Sequence, residues 1–233
     1  MKRTIITSIL AILLGVSSLQ AQQSAVTLGI KAGRNYSLGA LTALYADASY
    51  TAHKHLALRG GAQYSTLSRL VAQGSAIDRL TLELRPAYFH DLKFGRLQTQ
   101  LLLHYTHQAS TRSYALGCGM ELDTRLVDLT LGYYYRTIGI DNATVKEPFN
   151  IYYALRLNCL PNAERWRLDV VFSNCLPYEL ERHYQPSYAV ECWWHPTEHL
   201  GVQLGVNYKP AGMFHISSDY YQLYSNIGLC YKW

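Results

Sequence analysis

Near the end of the chain, Phe214-His215-Ile216-Ser217 sets an imidazole and a hydroxyl two residues apart, and Asp219 follows two further on. Residues i and i+2 of an extended segment share a face. A base, a nucleophilic hydroxyl and an orienting carboxylate would then lie in one row, which is what ester cleavage uses. A second chemical resource is spread along the whole chain. Lys31, Arg59, Glu83, Arg85, His104, Glu121, Arg136, Arg156, Asp169 and Glu191 occupy the polar rows of separate alternating segments. Asp47, Gln63, Gln98, Gln100, Asp123, Asp128, Gln203, Asn207, Gln222 and Asn226 share those rows. The planar guanidinium forks of Arg59, Arg85, Arg136 and Arg156 are the best candidates for engaging an anionic solute. Because both signs are mixed, the same side chains can also pair and close an interior.

Other chemistries find little support. Cys118, Cys159, Cys175, Cys192 and Cys230 are dispersed and odd in number, without the spacing of a disulfide framework. His53/His55 and His104/His107 lack zinc-ligand companions, and no glycine loop is built for phosphate: Gly60-Gly61 and Gly117-Cys118-Gly119 fall inside strand-like segments, where glycine marks a bend or crowded backbone. No cofactor or metal is expected. The formal charge of +5 contains no basic run, so nucleic acid is not an expected partner.

The elements that must position these groups follow from the pattern of hydrophobicity. The chain has 233 residues, 49% hydrophobic but only 16% charged, against roughly a quarter charged in soluble domains. Charge is sparse, yet no apolar run of about 20 residues suits a membrane helix. Alternation satisfies both facts. Val26, Leu28, Ile30 and Ala32 take turns with Thr27, Gly29, Lys31 and Gly33; Leu80, Leu82 and Leu84 with Arg79, Thr81, Glu83 and Arg85; Leu200, Val202, Leu204 and Val206 with Gly201, Gln203, Gly205 and Asn207. Period two puts one residue set on each face of a strand.

Twelve strands are expected, over 24–34, 38–51, 55–69, 78–90, 96–108, 112–123, 126–139, 148–159, 165–174, 185–194, 199–209 and 219–233. Their connections alternate between tight turns (52–54, 91–95, 124–125, 160–164, 195–198) and a set holding the longer polar segments Val71–Ile77, Ile140–Glu147, Cys175–Tyr184 and Pro210–Ser218. Short turns at one end and longer loops at the other suit a transmembrane antiparallel up-and-down β-barrel. Aromatics gather toward both ends of the apolar rows: Tyr64, Tyr105, Tyr114, Tyr133, Tyr135, Tyr153, Phe172, Tyr188, Tyr208 and Tyr221 toward the loops, Tyr50, Tyr88, Trp166, Trp194, Tyr231 and Trp233 toward the turns. Amphipathic rings settle where hydrocarbon meets headgroups. A soluble exported β-protein with the apolar rows as its core is the competing reading.

At the N-terminus, Lys2 and Arg3 precede an apolar stretch from Ile5 to Val16 and then small residues up to Ala21, which reads as a cleavable secretory signal over 1–21. Residues 22–233 are expected to form one barrel domain.

The final segment, Tyr221, Leu223, Ile227, Leu229, Tyr231 and Trp233, alternates and finishes on an aromatic. It resembles the last strand of Gram-negative outer-membrane β-barrel proteins, which assembly machinery reads as a sorting signal. Ser225 departs from the apolar row. The resemblance implies an exported, monomeric barrel in the outer membrane, with membrane lipid and the barrel-assembly machinery as partners. The function to expect is a narrow passive pore for small solutes, or a structural or surface role. His215-x-Ser217 before the last strand also resembles the outer-membrane lipid A deacylases and implies lipid ester hydrolysis as the alternative. This chain has Ser218 where that family has Asn, and more strands than its small barrel.

Overall fold

The computed structural model describes residues 23–35, 39–53, 55–68, 77–109, 111–140, 143–182, 185–210 and 222–233. The strands are β1 (Gln23–Asn35), β2 (Gly39–His53), β3 (Leu56–Ser68), β4 (Ile77–Leu92), β5 (Gly95–Gln108), β6 (Thr111–Thr124), β7 (Val127–Ile140) and β8 (Ala143–Asn158), followed by β9 (Trp166–Ser173), β10 (Cys175–Leu176), β11 (Glu179–Leu180), β12 (Ser187–Trp194), β13 (Leu200–Lys209) and β14 (Gln222–Lys232). Twelve of them close an antiparallel barrel in the order β1-β14-β13-β12-β9-β8-β7-β6-β5-β4-β3-β2, and β10-β11 form a separate small hairpin. Closure is by β1 against β14, in register from Ala25↔Lys232 to Asn35↔Gln222.

Alternation sets the wall's two faces. On β5, Leu101 and Leu103 are 49% and 41% exposed on the outside, while Leu102 between them is 1% exposed and points inward. Leu28, Ile30, Leu84, Leu131, Val170, Leu204 and Leu229 are likewise exposed outside, whereas Lys31, Gln100, His104, Asp169 and Glu191 are buried. A soluble β-protein would bury the apolar rows. This barrel is inverted relative to that arrangement, which removes the soluble reading. Aromatic rows edge the apolar band. Toward the loops, Tyr153, Phe172, Tyr188 and Tyr208 form a chain of ring contacts at 5.5, 5.3 and 6.5 Å, and Tyr105 meets Tyr114 at 4.9 Å. Toward the turns, Trp166 stacks on Trp194 at 5.7 Å and Tyr231 on Trp233 at 6.0 Å.

Two expectations are corrected here. Within Ile140–Glu147, residues 143–147 are strand: β8 starts at Ala143 and pairs with β7 from Ile140↔Ala143 through Arg136↔Glu147, with a bulge between Tyr134 and Arg136. The bulge takes up the irregularity beside Pro148, which has no N–H to donate. Within Cys175–Tyr184, the described residues 175–182 do not form an outer loop either. The chain leaves the wall at Asn174, so β9 pairs with β8 only over Ala154–Asn158, and β10 and β11 turn into the lumen.

Candidate functional site

The inward turn begins at Asn174, which is 1% exposed. Its Oδ1 accepts from the Tyr153 N–H at 2.7 Å, and its Nδ2 donates to the Ile151 and Glu181 carbonyls at 2.8 and 3.0 Å. The side chain thus satisfies the β8 edge that β9 abandons, as buried backbone groups require. Beyond it, Cys175↔Leu180 and Leu176↔Glu179 pair around a two-residue tip, Pro177-Tyr178. Tyr178 has φ 66°, the left-handed region. Pro at the second position of a turn and a left-handed residue at the third are the pattern of a type II turn.

The hairpin spans the lumen. From β9 its tip reaches β2, five strands away around one side of the barrel and seven around the other. There the Tyr178 hydroxyl donates to Asp47 and lies 2.9 Å from the Ala46 carbonyl. A Cβ at Gly61 would come within 2.0 Å of that hydroxyl, so glycine makes the seat. Lys31 stands over Tyr178, Tyr45 and Tyr224 with Nζ 5.5, 5.7 and 5.2 Å from the ring centroids, and it donates to the Pro177 carbonyl at 3.4 Å. Arg85 reaches Cys175 Sγ at 3.2 Å, Arg136 the Leu180 carbonyl at 3.0 Å, and Tyr134 the Glu181 carbonyl at 3.0 Å. Lys209 pairs with Glu181, and Glu147 bridges Arg136 and Arg182. Apolar packing adds to this: Cys175 and Leu180 join Leu102, Ala115, Tyr134 and Tyr152, and Leu176 joins Val171 and Ala189. Burying Leu176 and Leu180 stabilises the seated hairpin by about 3–6 kcal/mol together.

On the turn side of the hairpin remains a cavity of about 260 Å³, bordered by Arg59, Glu83, Arg85, Glu121, Asp128 and Arg156, with Cys175, Pro177 and Tyr178 on its hairpin side. Arg85 pairs with Glu83 at 2.8 Å, while Arg156 bridges Asp169 at 3.0 Å and Glu191 at 2.8 Å. Arg167 ties Asp169 to Asp128 at 2.8 and 2.7 Å. Arg59 is the loosest, half exposed and 3.9 Å from Glu121. His104 contacts Glu83 at 3.3 Å through Nδ1 and Thr106 at 3.1 Å through Nε2. Lys31 and Glu191 border a smaller space of about 40 Å³ with Tyr45, Gln203 and Asn226.

Of the ten charged candidates, Arg59, Glu83, Arg85, Glu121 and Arg156 therefore come together around one cavity. Arg136 instead grips the hairpin with Glu147. Asp169 and Glu191 hold Arg156, and Lys31 holds the hairpin tip. His215, Ser217 and Asp219 lie outside the described residues, so the ester-cleaving row is not described. Among the described residues no group of His, Cys, Asp and Glu side chains is arranged for a metal ion, and all five cysteines are free. Sequence reasoning missed the hairpin's own contributors, Asn174, Cys175, Tyr178 and Glu181. The available signal was the apolar alternation Leu176, Tyr178, Leu180 within a segment read as a loop.

No protein-family model matches the chain, nor does any curated protein. Solved structures do. The KdgM porin in complex with disordered oligogalacturonate superposes with a TM-score of 0.54 at 10% identity, over 89% of this chain and 98% of that one. The translocator domain of the autotransporter NalP from Neisseria meningitidis gives 0.54 at 12% identity, over 99% and 95%. The fold is that of the outer-membrane β-barrels. Outer membrane phospholipase A from Escherichia coli shares it too, with a TM-score of 0.51 at 7% identity over 94% and 96% of the two chains. A porin, a translocator and a phospholipase use one outer-membrane barrel architecture, so function must be read from this chain's own lumen.

Proposed function

We propose that the protein resides in the outer membrane as a narrow pathway for small polar solutes, closed at rest by the β10-β11 hairpin. The carrying observation is the charge-lined cavity of about 260 Å³ that ends on the hairpin. An interior needed only for stability could be filled with side chains, as in small barrels, whereas this lumen keeps polar space on its turn side. The exposed apolar band and paired aromatic rows support membrane placement, with the turns toward the periplasm.

The pairing of the four arginines speaks to selectivity. Arg85, Arg136 and Arg156 each meet a carboxylate within 3.0 Å, and Arg59 meets one at 3.9 Å. Their positive charge is largely answered locally, so small neutral or zwitterionic solutes suit the cavity better than strongly anionic ones. Proteoliposome swelling tests the reading. Wild-type barrel should admit small neutral solutes slowly, and a variant with residues 175–180 replaced by a short glycine linker should admit them at least about tenfold faster. Equal rates at empty-liposome background for both proteins would reject a solute pathway.

A further inference from the structure

On the outside of the wall, a groove of about 430 Å³ runs between β4 and β7. Leu84, Leu103, Tyr105, Tyr114, Leu116 and Tyr135 are among its lining residues. It lies in the half of the apolar band nearer the loops, and the Tyr105 and Tyr114 rings lean together at its upper end, 4.9 Å between centroids.

Directly beyond the groove the outward rows become basic. His107 follows Tyr105 by two residues on β5, and Arg112 precedes Tyr114 by two on β6; the two are register partners. On β8, Lys146 is the register partner of Thr137, which also lines the groove. Two residues along a strand amount to about 7 Å, so His107 and Arg112 stand that far beyond the rings, while Lys146, level with Tyr114 through Thr137, flanks them. Arg112 and Lys146 are exposed and make no ion pair among the described residues. Of the nearby acidic groups, Glu147 pairs inward with Arg136, and Asp78, outward on β4, accepts from Thr66 of β3 at 2.9 Å. By contrast, the outward rows of β12, β13 and β14 run toward the loops through Tyr188, Tyr208 and Leu223, with no basic group among the described residues beyond them.

Two strand spacings and a two-residue offset separate Arg112, which partners Gly139, from Lys146, which partners Thr137, or about 12 Å. That separation suits two phosphates carried at opposite ends of one headgroup better than the single phosphate of an ordinary phospholipid. We propose that this wall binds a diphosphorylated glycolipid of the outer leaflet, with one phosphate at His107 and Arg112, the other at Lys146, and an acyl chain in the groove. The site rests on the outer-membrane placement proposed above. Each basic residue near a membrane surface strengthens anionic-lipid binding by about fivefold.

The test uses the full barrel in phosphatidylcholine discs titrated with diphosphoryl lipid A, read by native mass spectrometry. Arg112→Gln/Lys146→Gln should lower apparent affinity by about tenfold or more, with circular dichroism unchanged. Arg34→Gln, outward on β1, should have no effect and serves as the control. Unchanged affinity in the double variant would overturn the site, as would phosphatidylglycerol competing as well as lipid A. Displacement by inorganic phosphate at the lipid's own concentration would also overturn it, because the groove would then contribute nothing. Carbonate extraction separates the two claims. Wild-type protein released from vesicles would overturn the membrane placement and the site with it, while firm insertion without lipid preference would overturn the site alone.

Discussion

The hydroxyl of Tyr178, at the tip of a hairpin crossing the lumen, hydrogen-bonds the carboxylate of Asp47 on the opposite wall, 131 positions away in the chain. One side chain thereby ties a segment that leaves the barrel at β9 to strand β2. Gly61 leaves space for the hydroxyl, and Lys31 holds the carbonyl of the preceding Pro177. The latch is polar, the packing behind it is apolar, and both must give way for the lumen to open.

Removing the latch hydroxyl should loosen the hairpin without unfolding the wall. A hydrogen bond to a charged group is worth about 1.5–3 kcal/mol. Tyr178→Phe should therefore raise the open fraction by about tenfold or more, seen as more frequent openings in single-channel recordings. Strand content by circular dichroism should not change.

Filling the seat should act from the other side. A Cβ on residue 61 would lie 2.0 Å from the Tyr178 hydroxyl and 2.7 Å from the Ala46 carbonyl, closer than atoms can approach. Gly61→Ala should displace the tip and increase proteoliposome swelling, and combining it with Tyr178→Phe should add little, since both act on one contact.

Arg156 answers two carboxylates, Asp169 and Glu191, of which Asp169 is completely buried. Arg156→Met keeps the bulk and removes the charge. Breaking a buried pair typically costs about 3–5 kcal/mol, and Arg167, which also holds Asp169, places this case at the lower end. The measurable outcome is a lower urea midpoint for unfolding from bilayers, at pH 7, with partial recovery in the Arg156→Met/Glu191→Gln double variant.

Asn174 substitutes for the missing strand neighbour of β8. Asn174→Ala removes three hydrogen bonds that serve the Tyr153 amide and the Ile151 and Glu181 carbonyls. Amide exchange at Tyr153 should accelerate by about tenfold or more, whereas exchange on β6, whose ladders on both sides are continuous, should be unaltered.

The wall was legible in the sequence because lipid outside and polar groups inside impose a strict period of two. Leu101, Leu102 and Leu103 show where that rule bends: the middle leucine faces inward and packs beneath the hairpin, which no alternation rule anticipates. Segment 175–184 was misread because Arg182 and several neighbouring polar residues give it the composition of an exposed loop. The inward course of residues 175–182 depends on partners on β1, β2, β4, β7 and β13, all far away in sequence. The inward turn after β9 was equally hidden, since Asn174 directly follows a strand whose extent was read within one residue but turns its amide to β8. The charged rows could be assigned to one face, yet their sorting into a cavity, a latch and a hairpin clamp depends on the hairpin's position.

Planar-bilayer recording of wild type beside the variant lacking residues 175–180 tests the central claim most directly. The account predicts a largely silent wild-type barrel with brief openings and a variant with steady, stepwise conductance. Equal conductance in the two proteins would contradict closure of the lumen by this hairpin.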